Sequence, residues 1–290
     1  MKELSDIIYQ LSDVLNEIDK DEYEIVYKGL SKKEWVDSPT LFRGECVQKN
    51  ISKESESIEE LIRHYPEEFY NSRTIDVMTQ LQHYECRTRL LDVTYNFLVA
   101  LFFACGGWEK IYNIENYKNL LDADGVVRVY YVRKEQVKSI NSETVTLISN
   151  IARLKDGETL GRLEWFCQRD WGHWQNDDDL IVQNMKDINS IILVKPKLNN
   201  PRIRAQFGAF FLFGGLSGLD GFEDMNKEKI LAQPLYKKLL SLEECDFRFK
   251  EVVIPAGIKL EVLEDLKNCF GISFDTLCPE KKDYIKTFML

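Results

Sequence analysis

Side chains that can handle a phosphate group or a proton gather in three stretches of the chain. They are Arg43, then His83, Arg87, Arg89, Asp92 and Thr94, and later Arg202, Arg204 and Gln206. Arginine suits phosphate because its planar guanidinium donates two parallel hydrogen bonds and stays charged at any working pH. Histidine adds proton transfer near neutral pH. Five arginines near the predicted ends of strands and helices therefore indicate an anion site.

The same residues also have structural interpretations. Asp92 or Thr94 can cap the apolar helix that follows them, because a side-chain oxygen at that position accepts a hydrogen bond from a free backbone N–H. Arg89 and Asp92 can form a buried ion pair. His83 can equally serve as a polar residue of the fold.

Three other stretches are weaker candidates. Aromatic residues between 165 and 174 could stack on a base or a nicotinamide ring, but such residues are more often core or interface. The carboxylates of 177–179 could attract a divalent cation, yet three adjacent residues cannot all converge on one ion. The glycines of 214–221 lack the spacing of a phosphate-binding loop. We therefore expect no metal site and no such loop.

Composition limits the class of protein. The chain has 290 residues, 44% of them hydrophobic, which is enough for a sizeable core. A formal net charge of -10 argues against a broad surface for nucleic acid or for an anionic membrane. The seven cysteines are scattered without a C-x-x-C pair, so they predict neither a disulfide framework nor a zinc site. No apolar stretch approaches the roughly 20 residues of a membrane span, and we expect a cytoplasmic protein.

Periodicity predicts the elements that position these residues. Helices are expected over 3–19, 58–65, 74–83, 97–104, 141–154, 226–241 and 258–270. Strands are expected over 23–27, 40–44, 126–132, 188–196, 209–214 and 247–254. Arg43 falls on the short strand 40–44, and the polar residues of 80–92 lie at the lip of the apolar helix 97–104. The simplest organisation is α+β, with residues 1–37 as an N-terminal addition packed on a domain of residues 38–290.

The order of several motifs resembles a known family. The motifs are Phe42-Arg43-Gly44, Gln82-His83-Tyr84, Thr88-Arg89-Leu90-Leu91-Asp92 with Thr94, and the apolar residues 100–104. This order resembles the FRG-domain family, named for its phenylalanine/tyrosine–arginine–glycine motif. Residues 202–210 resemble the family's second, glutamine-containing motif, and residues 254–279 its closing strand, helix and loop. The chain departs from the pattern at Glu85-Cys86-Arg87 and at Val93, which affects the shape of the loop more than its chemistry.

The family pattern is in turn similar to ADP-ribosyltransferase folds, which implies a mixed domain with a central, split β-sheet and an N-terminal helix. The similarity implies that NAD is the substrate. The implied catalytic residues are Arg43, His83, Asp92 and Gln206. The implied cofactor-binding residues are Arg43, Tyr84, Arg89, Thr94 and Gln206. Gln206 is neutral, so Asp92 or Glu164 would have to supply the negative charge that an oxocarbenium-like state needs.

The resemblance implies an NAD-dependent ADP-ribosyltransferase or NAD glycohydrolase of the toxin or defence type, found in bacterial and phage-related proteins. Its partners would be a nucleotide and a macromolecular acceptor. An alternative is a non-catalytic module that senses a nucleotide or phosphate and engages a protein partner. An RNA-directed enzyme is a third reading, which the acidic composition disfavours.

Overall fold

A computed structural model describes residues 1–43, 53–84, 86–108, 114–155, 158–171, 190–217, 233–234 and 247–279. The helices are α1 Lys2–Asn16, α2 Glu54–His64, α3 Pro66–Phe69, α4 Thr74–His83, α5 Phe97–Ala104, α6 Ile114–Leu121, α7 Glu143–Asn150, α8 Leu160–Trp171, α9 Pro201–Ala205, α10 Lys259–Phe270 and α11 Phe274–Leu277. The strands are β1 Tyr23–Leu30, β2 Leu90–Thr94, β3 Gly125–Arg133, β4 Val137–Ser139, β5 Ile191–Lys195, β6 Gly208–Phe213, β7 Leu216–Ser217, β8 Gln233–Pro234 and β9 Arg248–Ile254. Short 3-10 turns are Thr40–Phe42, Lys134–Gln136, Ile151–Arg153 and Ala256–Ile258.

Seven of these strands form one mixed sheet in the order β4-β5-β6-β2-β1-β3-β9. Neighbouring strands are antiparallel except for β4 and β5, which are parallel. The α+β class predicted from the sequence is therefore confirmed. β1 lies inside this sheet, although the sequence analysis placed it in an N-terminal addition.

The sheet is weakly joined at its middle. β1 pairs with β3 along its whole length, from Tyr23 opposite Arg133 to Leu30 opposite Val126. β1 and β2 are paired only at Tyr27 opposite Thr94. The two strands therefore diverge on either side of one residue pair, and the gap between them is the setting of the candidate site.

Helix α5 packs against β1 beside this gap. Its sequence, FLVALFFA, is apolar throughout, and every residue is buried or half-buried. Burying each large apolar side chain contributes about 1.5–3 kcal/mol. The helix begins at Asn96, whose side-chain oxygen accepts a hydrogen bond from Leu98 N at 2.9 Å. At Gly29 of β1, a Cβ would lie 1.8 Å from Ala100 O, so only glycine allows this close approach.

Most of the elements predicted within the described residues are present, one local prediction is wrong and one strand was not predicted. The described residues of the expected strand 40–44 do not form a strand: Thr40–Phe42 is a 3-10 turn, and Arg43 follows it in an extended conformation. The residues Leu90–Thr94 were not predicted as a strand, yet they pair with β6 over five residues. The capping role predicted for Asp92 or Thr94 belongs to Asn96 instead.

Several predictions fall outside the described residues. They concern Gly44, Glu85, His173, Trp174, the carboxylates of 177–179, the glycines after 217 and the helix expected over 226–241. Within the described ranges, none of the helices combines the length and the apolar character needed to cross a membrane.

Candidate functional site

A cavity of about 320 Å³ lies at the gap between β1 and β2. It is lined by residues of β1 and β2, by residues of α5 and by residues of the segment from 31 to 43. Its polar lining residues are Lys28, Ser31, Thr40, Arg43, Gln82, Asp92, Thr94, Arg202 and Gln206. Its aromatic lining residues are Tyr27, Trp35, Phe103 and Trp108. The cavity thus brings together charged groups and ring systems.

Lys28 is a cavity residue that the sequence analysis missed. Its side chain is half-buried on β1, and its Nζ donates a hydrogen bond to Asp92 O at 2.8 Å. Removal from water lowers the pKa of Lys28, and the nearby carboxylates of Asp37 and Asp92 act in the opposite direction. The only signal in the sequence was a lysine inside an otherwise strand-like segment next to Gly29.

Two arginines add positive charge to the cavity. Arg43 is exposed, and its Nε donates to Ser38 O at 2.9 Å. The guanidinium of Arg202 lies over the ring of Trp108, 4.7 Å from its centroid, in a cation–π contact. With Lys28, the cavity therefore carries three cationic side chains in a protein whose formal net charge is -10.

Arg43 also borders a second cavity. That cavity measures about 380 Å³ and is lined by Leu30, Trp35, Val36, Ser38 and Arg43. Three of these residues, Leu30, Trp35 and Arg43, line the first cavity as well. The side chains of Trp35 and Arg43 therefore border both cavities.

Asp92 is exposed on β2 and supplies a carboxylate to the cavity. Its Oδ2 accepts a hydrogen bond from Gln82 Nε2 at 3.1 Å. The side chain of Gln82 is oriented in turn by the hydroxyl of Thr88, which donates to its amide oxygen. Asp92 therefore neither caps α5 nor pairs with Arg89, and it faces the cavity.

Thr94 and Gln206 both line the cavity and contact each other. Thr94 is buried, and its Oγ1 donates to Gln206 O at 2.6 Å while it accepts from Asn96 N at 2.9 Å. Gln206 Nε2 donates to Leu277 O at 3.1 Å. Both predicted residues thus line the cavity, and the amide nitrogen of Gln206 is already engaged by the C-terminal segment.

Arg89 does not reach the cavity. It is 2% exposed and pairs with Glu54, which is 3% exposed. Arg89 Nε lies 3.0 Å from both carboxylate oxygens, and Nη2 lies 2.5 Å from Oε2. A buried guanidinium needs such a partner, because leaving it unpaired costs several kcal/mol. The pair anchors α2 to the start of β2, which is a structural role and not the ligand contact that the resemblance implied.

The remaining predicted residues lie around the cavity. His83, the last residue of α4, is half-buried and lines a smaller cavity that adjoins the first. Tyr84 is 60% exposed and is not among the described lining residues, and Glu164 on α8 is likewise not among them. Arg87 and Arg204 are exposed. The structure therefore brings together Arg43, Asp92, Thr94 and Gln206, with His83 beside them.

Comparison with known families gives a match over part of the chain. Residues 23–111 match the family model of the FRG domain. No curated protein and no solved structure matches the chain. The match includes Arg43, Asp92 and both strands that border the cavity, whereas the resemblance of residues 202–210 and 254–279 lies outside it.

Proposed function

We propose, from the premise that residues 23–111 are an FRG domain, that this chain binds NAD and cleaves its nicotinamide–ribose bond. One observation carries the proposal: a single cavity contains three cations, one carboxylate and aromatic walls. The leaving nicotinamide is replaced at the ribose by a macromolecular acceptor or by water. We further propose that this chemistry serves a toxin or defence function in the bacterial cytoplasm.

The cationic side chains suit the diphosphate of a dinucleotide. Arg43 borders both cavities, so a diphosphate bound beside it would allow one nucleoside half to lie in each cavity. Lys28 and Arg202 border the first cavity and add the positive charge that two phosphates require. Trp35 and Trp108 supply ring faces on which a nicotinamide or an adenine can stack.

Asp92 is the residue best suited to assist bond cleavage. Departure of nicotinamide leaves positive charge on the ribose, and a fixed carboxylate stabilises that charge. Among the described residues that line the first cavity, Asp92 is the only acidic one. Gln206 is neutral and its amide nitrogen is bound to Leu277 O, so we assign it to ribose positioning rather than to charge stabilisation.

The test is nicotinamide release from NAD by the wild type, by Asp92→Asn and by a matched control, Asp13→Asn, at an exposed position of α1. We expect Asp92→Asn to lower the rate on the order of 100-fold, as loss of one charge-stabilising group does elsewhere. Its NAD affinity and melting temperature should stay at wild-type values. Absence of both NAD binding and turnover in the wild type would exclude the proposed activity.

A second candidate function is a non-catalytic nucleotide sensor that engages a protein partner. It is favoured by the engaged amide of Gln206, since that side chain is held by the C-terminal segment and not poised for a reacting group. The sensor predicts that NAD or ADP raises the melting temperature while no nicotinamide is released. Product analysis on the same samples separates the two functions.

A further inference from the structure

A small cavity with a mixed polar and apolar lining adjoins the proposed NAD site on the α4 side of β2. It measures about 30 Å³, enough for one or two water molecules, since one water needs roughly 10–15 Å³ of such space. Its polar lining residues are Thr79, Gln82, His83, Asp92, Arg202 and Gln206. A buried water requires two to four polar partners, and this lining supplies them.

The small cavity, which we call the side cavity, shares its wall with the larger one. Gln82, Asp92, Arg202 and Gln206 line both spaces. Asp92, to which we assign the stabilisation of the ribosyl cation, therefore stands at the boundary. Any molecule held in the side cavity lies next to the carboxylate that would face the ribose.

The side cavity is lined by a titratable ring, that of His83. Its Nδ1 is buried without a hydrogen-bond partner among the described residues. Burial lowers the pKa of His83, the positive charge of Arg202 on α9 lowers it further, and Asp92 on β2 acts in the opposite direction. The imidazole is thus neutral near pH 7, and one of its two ring nitrogens carries a lone pair that can accept a proton.

From this juxtaposition we propose that the acceptor in the reaction is water held in the side cavity, and that His83 is the general base that activates it. The inference rests on the proposed function and makes the enzyme an NAD glycohydrolase rather than a transferase. The acceptor for the ribosyl group is then a water molecule in the side cavity, with no protein or nucleic acid chain required.

The step balances with these groups alone. As the bond between C1′ of the ribose and the nicotinamide nitrogen breaks, its electron pair leaves with neutral nicotinamide. Asp92 stabilises the resulting positive charge on the ribose. The water oxygen bonds to C1′ while one water proton passes to the imidazole of His83. The products are nicotinamide, ADP-ribose and a proton that His83 later releases to solvent.

The experiment compares His83→Gln with His64→Gln. Both histidines end a helix, α4 and α2 respectively, but His64 is exposed and lies outside both cavities. Nicotinamide, free ADP-ribose and protein-bound ADP-ribose are quantified with labelled NAD. Methanol is added in a parallel series, since a small alcohol can replace water and yields the methyl glycoside of ADP-ribose.

We expect the wild type and His64→Gln to release nicotinamide and free ADP-ribose in equal amounts and to form the methyl glycoside. His83→Gln should lower kcat on the order of 100-fold at unchanged NAD affinity. The wild-type kcat should fall as the pH drops through the pKa of His83, whereas the residual rate of His83→Gln should not.

Three results would overturn the inference, and they are distinguishable. Wild-type turnover by His83→Gln removes His83 as the base and leaves the proposed NAD cleavage intact. Transfer of the label to protein in place of free ADP-ribose shows a macromolecular acceptor and also leaves NAD cleavage intact. Absence of nicotinamide release by the wild type overturns the proposed enzyme function and this inference together.

Discussion

Lys28 Nζ donates a hydrogen bond to the backbone oxygen of Asp92 at 2.8 Å, across the gap where β1 and β2 diverge. The lysine side chain therefore links the two strands here, as backbone hydrogen bonds do elsewhere in the sheet. It fixes the main chain beneath the carboxylate that we assign to charge stabilisation. The same ammonium contributes positive charge to the cavity.

Replacement of this lysine should weaken nucleotide binding more than folding. Lys28→Met keeps the length of the side chain and removes the charge and the donor, so we expect the affinity for NAD or ADP to fall about tenfold. The lost hydrogen bond to Asp92 O should cost about 1 kcal/mol of unfolding free energy. Calorimetric titration and urea denaturation measure the two effects. Lys20→Met, at an exposed position, is the control and should change neither.

Loss of Arg89 should destabilise the fold. Arg89→Met leaves the carboxylate of Glu54 buried without its partner, and we expect the unfolding free energy to fall by about 3–5 kcal/mol. The double variant Arg89→Met/Glu54→Leu should recover much of this loss, because two apolar side chains leave no unpaired charge. Urea denaturation of both variants tests the assignment. A stable Arg89→Met protein with impaired NAD binding would contradict it.

Gly29 should tolerate no side chain. The Cβ of Gly29→Ala would overlap Ala100 O, so β1 must move away from α5, at a cost of about 3 kcal/mol or more. Because β1 forms a wall of the cavity, we expect ligand affinity to fall as well. Gly257→Ala is the matched control, since no atom lies within 4 Å of the added Cβ. Melting temperatures and NAD titrations of the two variants should differ clearly.

His83 should make stability depend on pH. Its pKa in the folded chain is lowered from the ordinary value of 6.5. Between these two pKa values the unfolded chain binds more protons, so stability falls as the pH drops below about 6.5. His83→Gln should remove this component, and His64→Gln should retain it. Melting curves recorded between pH 5 and pH 8 give the comparison, and parallel curves for wild type and His83→Gln would refute it.

The sequence predicted the elements whose patterns are local. FLVALFFA predicted a core helix, and the β-branched and aromatic run at 126–132 predicted a strand, because each carries enough consecutive residues to show its period. Leu90–Thr94 has only five residues, and its strand conformation depends on pairing with β6, more than a hundred residues later. Short segments of this kind are decided by tertiary partners.

The candidate site was predicted in part for a similar reason. Arg43, Asp92, Thr94 and Gln206 were identified from motifs, and the cavity brings them together. The role of Arg89 depends on Glu54, 35 residues earlier in the chain, and that of Lys28 depends on Asp92, 64 residues later. The residues next to Arg89 or Lys28 in the sequence do not indicate which distant residue each one contacts. Contacts between residues so far apart in the sequence can be identified only from the folded structure.

Because β1 and β2 are paired only at Tyr27 and Thr94, the sheet consists of two parts joined at one residue pair. One part contains β1, β3 and β9, and the other contains β2, β6, β5 and β4. A ligand bound in the cavity as we propose would contact Lys28 on one part and Asp92 on the other, and would link the two parts. Binding of a ligand should therefore slow amide hydrogen exchange along both β1 and β2.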